Sequence, residues 1–485
     1  MAQFPSPVFK TKKVTQLAWL FFAVCFALKS GPVLADSYAQ GLAFLEKEEY
    51  TQAFSIFSRV AEKGDASAQA ALGSMYYNGS GIPADPVKAA QWYARAAEQG
   101  DASSQLKLGE MYEDGEGLEK DDFLAAYWYE RAAVNGLAKA QWSLGVLYSE
   151  GAGVAQDDAE ALGWFSKAAE QGLPEAQASL GVFYSEGRAV EQNATKAFAL
   201  YLRAAEQGLA MAQYELGNAF RDALGVETDY GQAFAWFKKA ADQEYADAQY
   251  AIGQLYMLGQ GVPENAEQAF RWFSKAAEQG LPKAQTNIGL MYAIGQGVNK
   301  NLPAAIKNFR LAADQGFPEA QYFLADLYYT GEGVEADDRE ALKWFEKAAI
   351  QGLLEAQDML GLMYTRGHGV QRDHAKAAAW FALAAGHGYA ESQNNLGFMY
   401  SRGLGVEQDF EKAVMWYRKA AEHNLPQAQF NLGGMYLRGD GVKQNYHTAL
   451  EWFRKAAEQG MEEAQESLER ILRRGQTTTR EDMSI

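Results

Sequence analysis

Apolar side chains in this chain fall on two alternating helical patterns that return every 36 residues. In one, Ala89, Trp92, Tyr93, Ala96 and Ala97 stand at i, i+3, i+4, i+7 and i+8, which is one apolar face of a helix. In the other, Ala102, Gln105, Leu108, Gly109 and Tyr112 follow the same spacing. Glycines punctuate the two. Gly100 and its equivalents, such as Gly64, Gly136 and Gly172, end the tryptophan helix where a positive φ is wanted. Pairs such as Gly79 with Gly81, or Gly331 with Gly333 followed by Val334, end the other helix and open its turn. The interval never slips: a glutamine recurs at Gln69, Gln105, Gln141, Gln177, Gln213, Gln249, Gln285, Gln321, Gln357, Gln393, Gln429 and Gln465. These are eleven steps over 396 residues, the signature of a repeat array in which no unit buries its apolar face alone.

Physical roles follow from the pattern. Gly109 and its equivalents cost about 1 kcal/mol each against alanine in mid-helix, so they are expected to let the partner helix come close. The paired alanines do the same from the other side, and Trp92, Tyr93 and Tyr112 fill the space between helix pairs. The run Ala-x-x-x-Leu-Gly-x-x-Tyr followed by Ala-x-x-Trp-Tyr/Phe-x-x-Ala-Ala-x-Gln-Gly resembles the Sel-1-like repeat (SLR), a relative of the slightly shorter tetratricopeptide repeat (TPR). The resemblance implies an all-α fold: a right-handed superhelical α-solenoid of antiparallel helix pairs, with the Leu-Gly helices lining the concave side.

On this reading residues 36–64 form a degenerate N-terminal capping repeat, and residues 65–460 hold eleven repeats. Residues 461–475 form a C-terminal capping helix with outward charge, and 476–485 a disordered tail. Departures cluster between residues 188 and 244, where Arg188, Leu200, Ala223 and Glu244 replace pattern residues; irregular bending of the superhelix is expected there.

Composition then narrows the setting. Residues 1–35 carry Lys10, Lys12, Lys13 and Lys29 without an acidic residue, an apolar run from Val14 to Leu28, and small residues at Val33-Leu34-Ala35. This predicts a signal peptide cut after Ala35, and so an exported protein, periplasmic or extracellular, with no membrane insertion after cleavage. An uncleaved anchor over Val14 to Leu34 is the competing reading, disfavoured by Lys29. Cleavage would remove the single cysteine, Cys25, and shift the formal charge from −18 to −22. That balance disfavours nucleic acid as a general partner.

Little in the sequence points to catalysis. Neither a G-x-S-x-G elbow nor an H-E-x-x-H run is present, and the mature chain has no thiol. Acid pairs such as Asp121-Asp122, Asp157-Asp158 and Asp337-Asp338 stand at starts of tryptophan helices, where negative charge suits the helix dipole. His387 and His423 occupy one slot of successive repeats, about 10 Å or more apart, too far to share a metal ion. Some members of the SLR family have been described as β-lactamase-like, but a recognisable S-x-x-K site is missing here. No catalytic residue, metal or cofactor is expected.

Binding is the better expectation. Three residues before the mid-helix glycine stand Trp142, Tyr214, Tyr250, Tyr322, Asn394 and Phe430, large or polar groups at a position with no packing consensus. Five residues after it, the series Asn78, Asp114, Glu150, Glu186, Asp222, Leu258, Ile294, Thr330, Arg366, Arg402, Arg438 drifts from acidic to basic. The expected function is a non-enzymatic scaffold of the cell envelope or secreted space, holding protein or peptide segments on the concave face. A polysaccharide- or peptidoglycan-binding module is the alternative, with a β-lactamase-like hydrolase behind it.

Overall fold

The computed structural model describes residues 32–471. Every regular element among them is an α-helix. Each repeat supplies a first helix, as in Ala138–Glu150, and an antiparallel second helix, as in Asp158–Glu170. The first helices are the Leu-Gly helices of the sequence pattern and the second the tryptophan helices. From Pro32 to Asp222, and again from Ala246 to Glu458, each helix packs on the next in sequence, which makes an all-α solenoid. The chain divides into two compact units after Ala240, inside the 188–244 stretch where pattern residues are lost. Within the described residues no helix is long and apolar enough to cross a membrane. Residues 1–31 of the expected 1–35 signal peptide and the expected tail at 476–485 lie outside the described residues, and a helix over 462–471 stands at the expected C-terminal cap.

The mid-helix glycines act as expected, with a more specific partner than a whole helix. A Cβ on Gly109 would lie 2.6 Å from the ring of Tyr129, and on Gly253 2.5 Å from Phe273. Each of these rings lies on the second helix of the same repeat and is buried. Even the degenerate first unit keeps this lock, since a Cβ on Gly41 would meet Phe57 at 2.4 Å. In that unit Pro32–Glu46 and Tyr50–Ala61 are the two helices, joined by a shortened turn with Glu48 at φ 58°.

The two loop glycines have different jobs. The first, such as Gly151 at φ 73°, caps the first helix in the left-handed conformation. The second makes a contact between repeats: a Cβ on Gly153 would stand 2.1 Å from the carbonyl oxygen of Asp122, at the start of the preceding second helix. The irregular repeats keep this backbone without glycine, with Ala189 at φ 53° and Ala223 at φ 58°, and Glu244 at φ 63° does the same for the glycine that ends the second helix. In the same region Arg188 is hydrogen-bonded to Asp158 and to the Ser149 hydroxyl, at 3.0 Å from the latter, and so ties its loop to the repeat before.

The recurring glutamine is buried and joins three helices. Gln105 Nε2 donates to the Ala97 carbonyl of the preceding second helix at 3.0 Å, and its Oε1 accepts from Asn135 at the end of its own second helix at 3.1 Å. Gln321 repeats this with Ala313 at 3.1 Å and Gln351 at 2.9 Å. In two neighbouring repeats the rung is incomplete. His387 and His423 stand where Gln351 stands in its repeat, and the Oε1 atoms of Gln357 and Gln393 are buried without a partner. His387 instead turns Nδ1 to the Leu383 carbonyl at 2.9 Å.

These rungs predict opposite effects at equivalent places. Gln321→Leu removes both of its rung bonds, leaving the Ala313 carbonyl only the Gly316 N–H and the Gln351 amide only the Lys347 carbonyl, and should cost about 2 kcal/mol. The pair His387→Gln and His423→Gln restores two acceptors' donors and should add about 1 kcal/mol each. Urea unfolding of the full chain measures both; histidine variants no more stable than the parent would refute the rung's contribution.

Candidate interaction surface

An interaction surface on a helical array consists of what repeat-to-repeat packing leaves open. The second helices give up their starts to capping: Asp121 Oδ1 accepts from the Leu124 N–H at 3.0 Å, and Asp157 from the Glu160 N–H at 3.1 Å. The first acid of each pair is therefore an N-cap, a role beyond the dipole compensation read from the sequence, and the second stands in the first turn. Their tryptophans pack towards the preceding repeat, with Trp128 in one cluster with Ala89, Leu108 and Met111. Lysines one turn on cover several of these rings, Lys167 lying 3.7 Å from the centroid of Trp164.

The first helices carry the predicted site residues, in two kinds of setting. Trp142 donates its indole N–H to Ser179 Oγ of the next repeat at 3.0 Å. Tyr214 leans on Phe237 with ring centroids 5.7 Å apart. Tyr250 leans on Phe273 at 5.2 Å and accepts from Asn287 of the next repeat at 3.2 Å. Tyr322 and Phe430 pack on Phe345 and Phe453 at 5.5 Å each. Asn394 is buried and accepts from Asn431 at 2.9 Å. The column three residues before the glycine thus forms a seam, its rings packed on the second helix of their own repeat and Trp142, Tyr250 and Asn394 bonded to the next first helix. Its members are half-buried or buried, not free ring faces.

Asp358 is this seam's charged member. It is buried and accepts from Ser392 Oγ at 2.6 Å and Asn395 Nδ2 at 3.0 Å. Burial raises its carboxyl above the ordinary 3.8, against the pull of those two hydrogen bonds.

The column five residues after the glycine is different, since it is exposed in all eleven repeats. Asn78, Asp114, Glu150, Glu186 and Asp222 carry it in the first unit. Leu258, Ile294, Thr330, Arg366, Arg402 and Arg438 carry it in the second. Leu258 and Ile294, which sequence reasoning noted only as neutral steps in the drift, are 65% and 67% exposed. Together with Gln254, Met257, Asn287 and Leu290 they line a groove across two first helices. The signal was present in the sequence as two apolar residues in a column otherwise polar or charged.

Comparison with known proteins settles the family. The Sel1 repeat model matches eleven times in tandem, from residues 66–101 through to 426–461. The chain belongs to the Sel1 repeat family. Its fold is similar to that of a protective antigen of uropathogenic Escherichia coli strains displaying an SLR fold, at 38% identity and a TM-score of 0.67. That alignment covers 87% of this chain and 90% of the antigen. A Sel1 repeat protein from Oxalobacter formigenes aligns at 34% identity and a TM-score of 0.41, over 72% of this chain and 89% of that one. No match is found among curated proteins. Among the described residues no group of three or more histidine, cysteine or acidic side chains is placed to hold a metal ion.

Asp358 yields a pH prediction. Its folded pKa is raised, so the folded state holds the proton more firmly than the unfolded chain does. Its contribution to stability is therefore full below the ordinary carboxyl pKa and is lost as pH rises through the folded value. Asp358→Asn should stabilise the chain at pH 7, and the advantage should shrink as pH falls towards 3.8. Thermal unfolding across pH checks this; an advantage independent of pH would contradict it.

Proposed function

We propose that this chain is a non-enzymatic scaffold, exported to the cell envelope or beyond it, that holds protein or peptide segments along the face of its first helices. The observation that carries this reading is the division of labour on those helices. One column is used up in the seam, while the exposed column changes its chemistry from repeat to repeat. Packing needs uniform residues, and these positions are not uniform. A stacked array presents such a column as an extended surface suited to a chain-like partner. The basic leader with its apolar run and Val33-Leu34-Ala35 supports export.

The sugar-binding alternative rested on a row of aromatic faces. Trp142, Tyr250 and Tyr322 are engaged in packing and hydrogen bonds, which takes that feature away. The hydrolase reading has no G-x-S-x-G elbow or H-E-x-x-H run in the sequence to build on.

A photo-crosslinking residue placed at Arg402 or Leu258 should capture partners from envelope extract, whereas one at Lys343 or Arg271 on second helices should not. Lys343 and Arg271 are 67% and 61% exposed, so access is matched. Equal adducts from both faces would contradict a first-helix binding surface.

A further inference from the structure

The first helices of the second unit combine two features that the first unit lacks. Leu258 and Ile294 end successive first helices, exposed, and together with Met257 and Leu290 they line a groove of about 350 Å³. Apolar side chains of this size at the end of a solvated helix gain nothing from solvent, and burying them against a partner is favourable. Further along the same column stand Arg366 and Arg402. Arg366 reaches the Tyr329 hydroxyl at 3.3 Å, and Arg402 lies over Phe398 at 5.8 Å from the ring centroid. Neither is ion-paired with a carboxylate among the described residues, in a chain whose formal charge is −18. Arg438, one repeat on, is paired with Asp440 at 2.6 Å.

Helix-dipole compensation does not account for the arginines. Cations at a helix C-terminus are favoured and anions disfavoured by the dipole. In the first unit the same position carries Asp114, Glu150, Glu186 and Asp222, against the dipole. The column is thus not chosen for helix stability. Charge complementarity gives the simpler account of two unpaired guanidiniums beside an apolar groove, because guanidinium matches carboxylate in a bidentate fork.

We propose that this face takes an extended acidic peptide, with an apolar side chain in the Leu258–Ile294 groove and carboxylates on Arg366 and Arg402. The assignment rests on the scaffold reading and names the chemistry of its partner. Successive first helices lie about 10 Å apart, so from Ile294 to Arg402 is about 30 Å. An extended chain at about 3.3 Å per residue covers that in about nine residues. The partner segment is therefore short, apolar at one end and acidic at the other. Nucleic acid fits less well, since two arginines neutralise too few phosphates to offset a strongly acidic chain.

Fluorescence anisotropy of the full chain tests this with a labelled short peptide carrying a leucine pair followed by glutamates. Binding is expected, weakened about tenfold by Arg366→Glu with Arg402→Glu, and about tenfold by Leu258→Asp with Ile294→Asp. All four side chains are surface groups, and circular dichroism melts should show the variants folded. Binding should also weaken with salt. If a lysine version of the peptide binds equally, or if oligothymidylate displaces the probe as well as unlabelled peptide does, the acidic-peptide assignment is overturned while the scaffold reading stands. If no peptide of any charge binds and crosslinking from Arg402 also captures nothing, both fall.

Discussion

A buried glutamine amide holds this array in register. Its N–H donates to a carbonyl near the end of the preceding second helix, and its oxygen accepts from the end of the second helix of its own repeat. Three helices therefore meet at one side chain whose polar atoms are used within the protein. A buried amide left half-satisfied costs more than the bond itself contributes, so the rung selects one relative placement of the helices. The second loop glycine adds a constraint. Gly153 presses against the backbone at Asp122, and a bulkier or longer loop would push the repeats apart. Between them, these contacts explain why the 36-residue interval carries no insertion from Gln69 to Gln465.

The remaining packing letters serve the same end. Each mid-helix glycine receives a ring of its own second helix, and second-helix tryptophans such as Trp128 pack towards the repeat before. Because these positions are occupied by structure, chemistry that recognises a partner is confined to what they leave out. On the first helices that is the exposed column near the C-terminal end, which is acidic in the first unit and apolar then basic in the second.

The period was legible because it is repeated eleven times, and helix, cap and turn follow from residue types alone. The N-terminal capping repeat, read as degenerate, proved to keep the glycine-and-ring lock through Gly41 and Phe57, which a shortened turn brings out of the common spacing. What the sequence hid were contacts between repeats. Nothing in the letters around Gln105 says that its amide reaches Ala97, or that the second glycine of a pair touches the helix before. For the same reason Tyr250 and Trp142 read as open surface. Their partners, Asn287 and Ser179, lie a full repeat away, where helical periodicity cannot see them. Arg366, Arg402 and Arg438 were readable, since a last-turn charge on an amphipathic helix faces water whatever its neighbours.

The central claim is that packing and recognition occupy separate columns of the repeat. A substitution scan of residues 245–424 with two readouts, resistance to proteolysis for folding and retention of the acidic leucine-bearing peptide for binding, tests it most directly. The account predicts that changes at Gln285, Gly289 and Phe309 lower protease resistance and lose peptide only in proportion. Changes at Leu258, Ile294, Arg366 and Arg402 should lose peptide with protease resistance unchanged. Glutamine or glycine variants that stay folded yet fail to bind, or arginine variants that unfold, would contradict it.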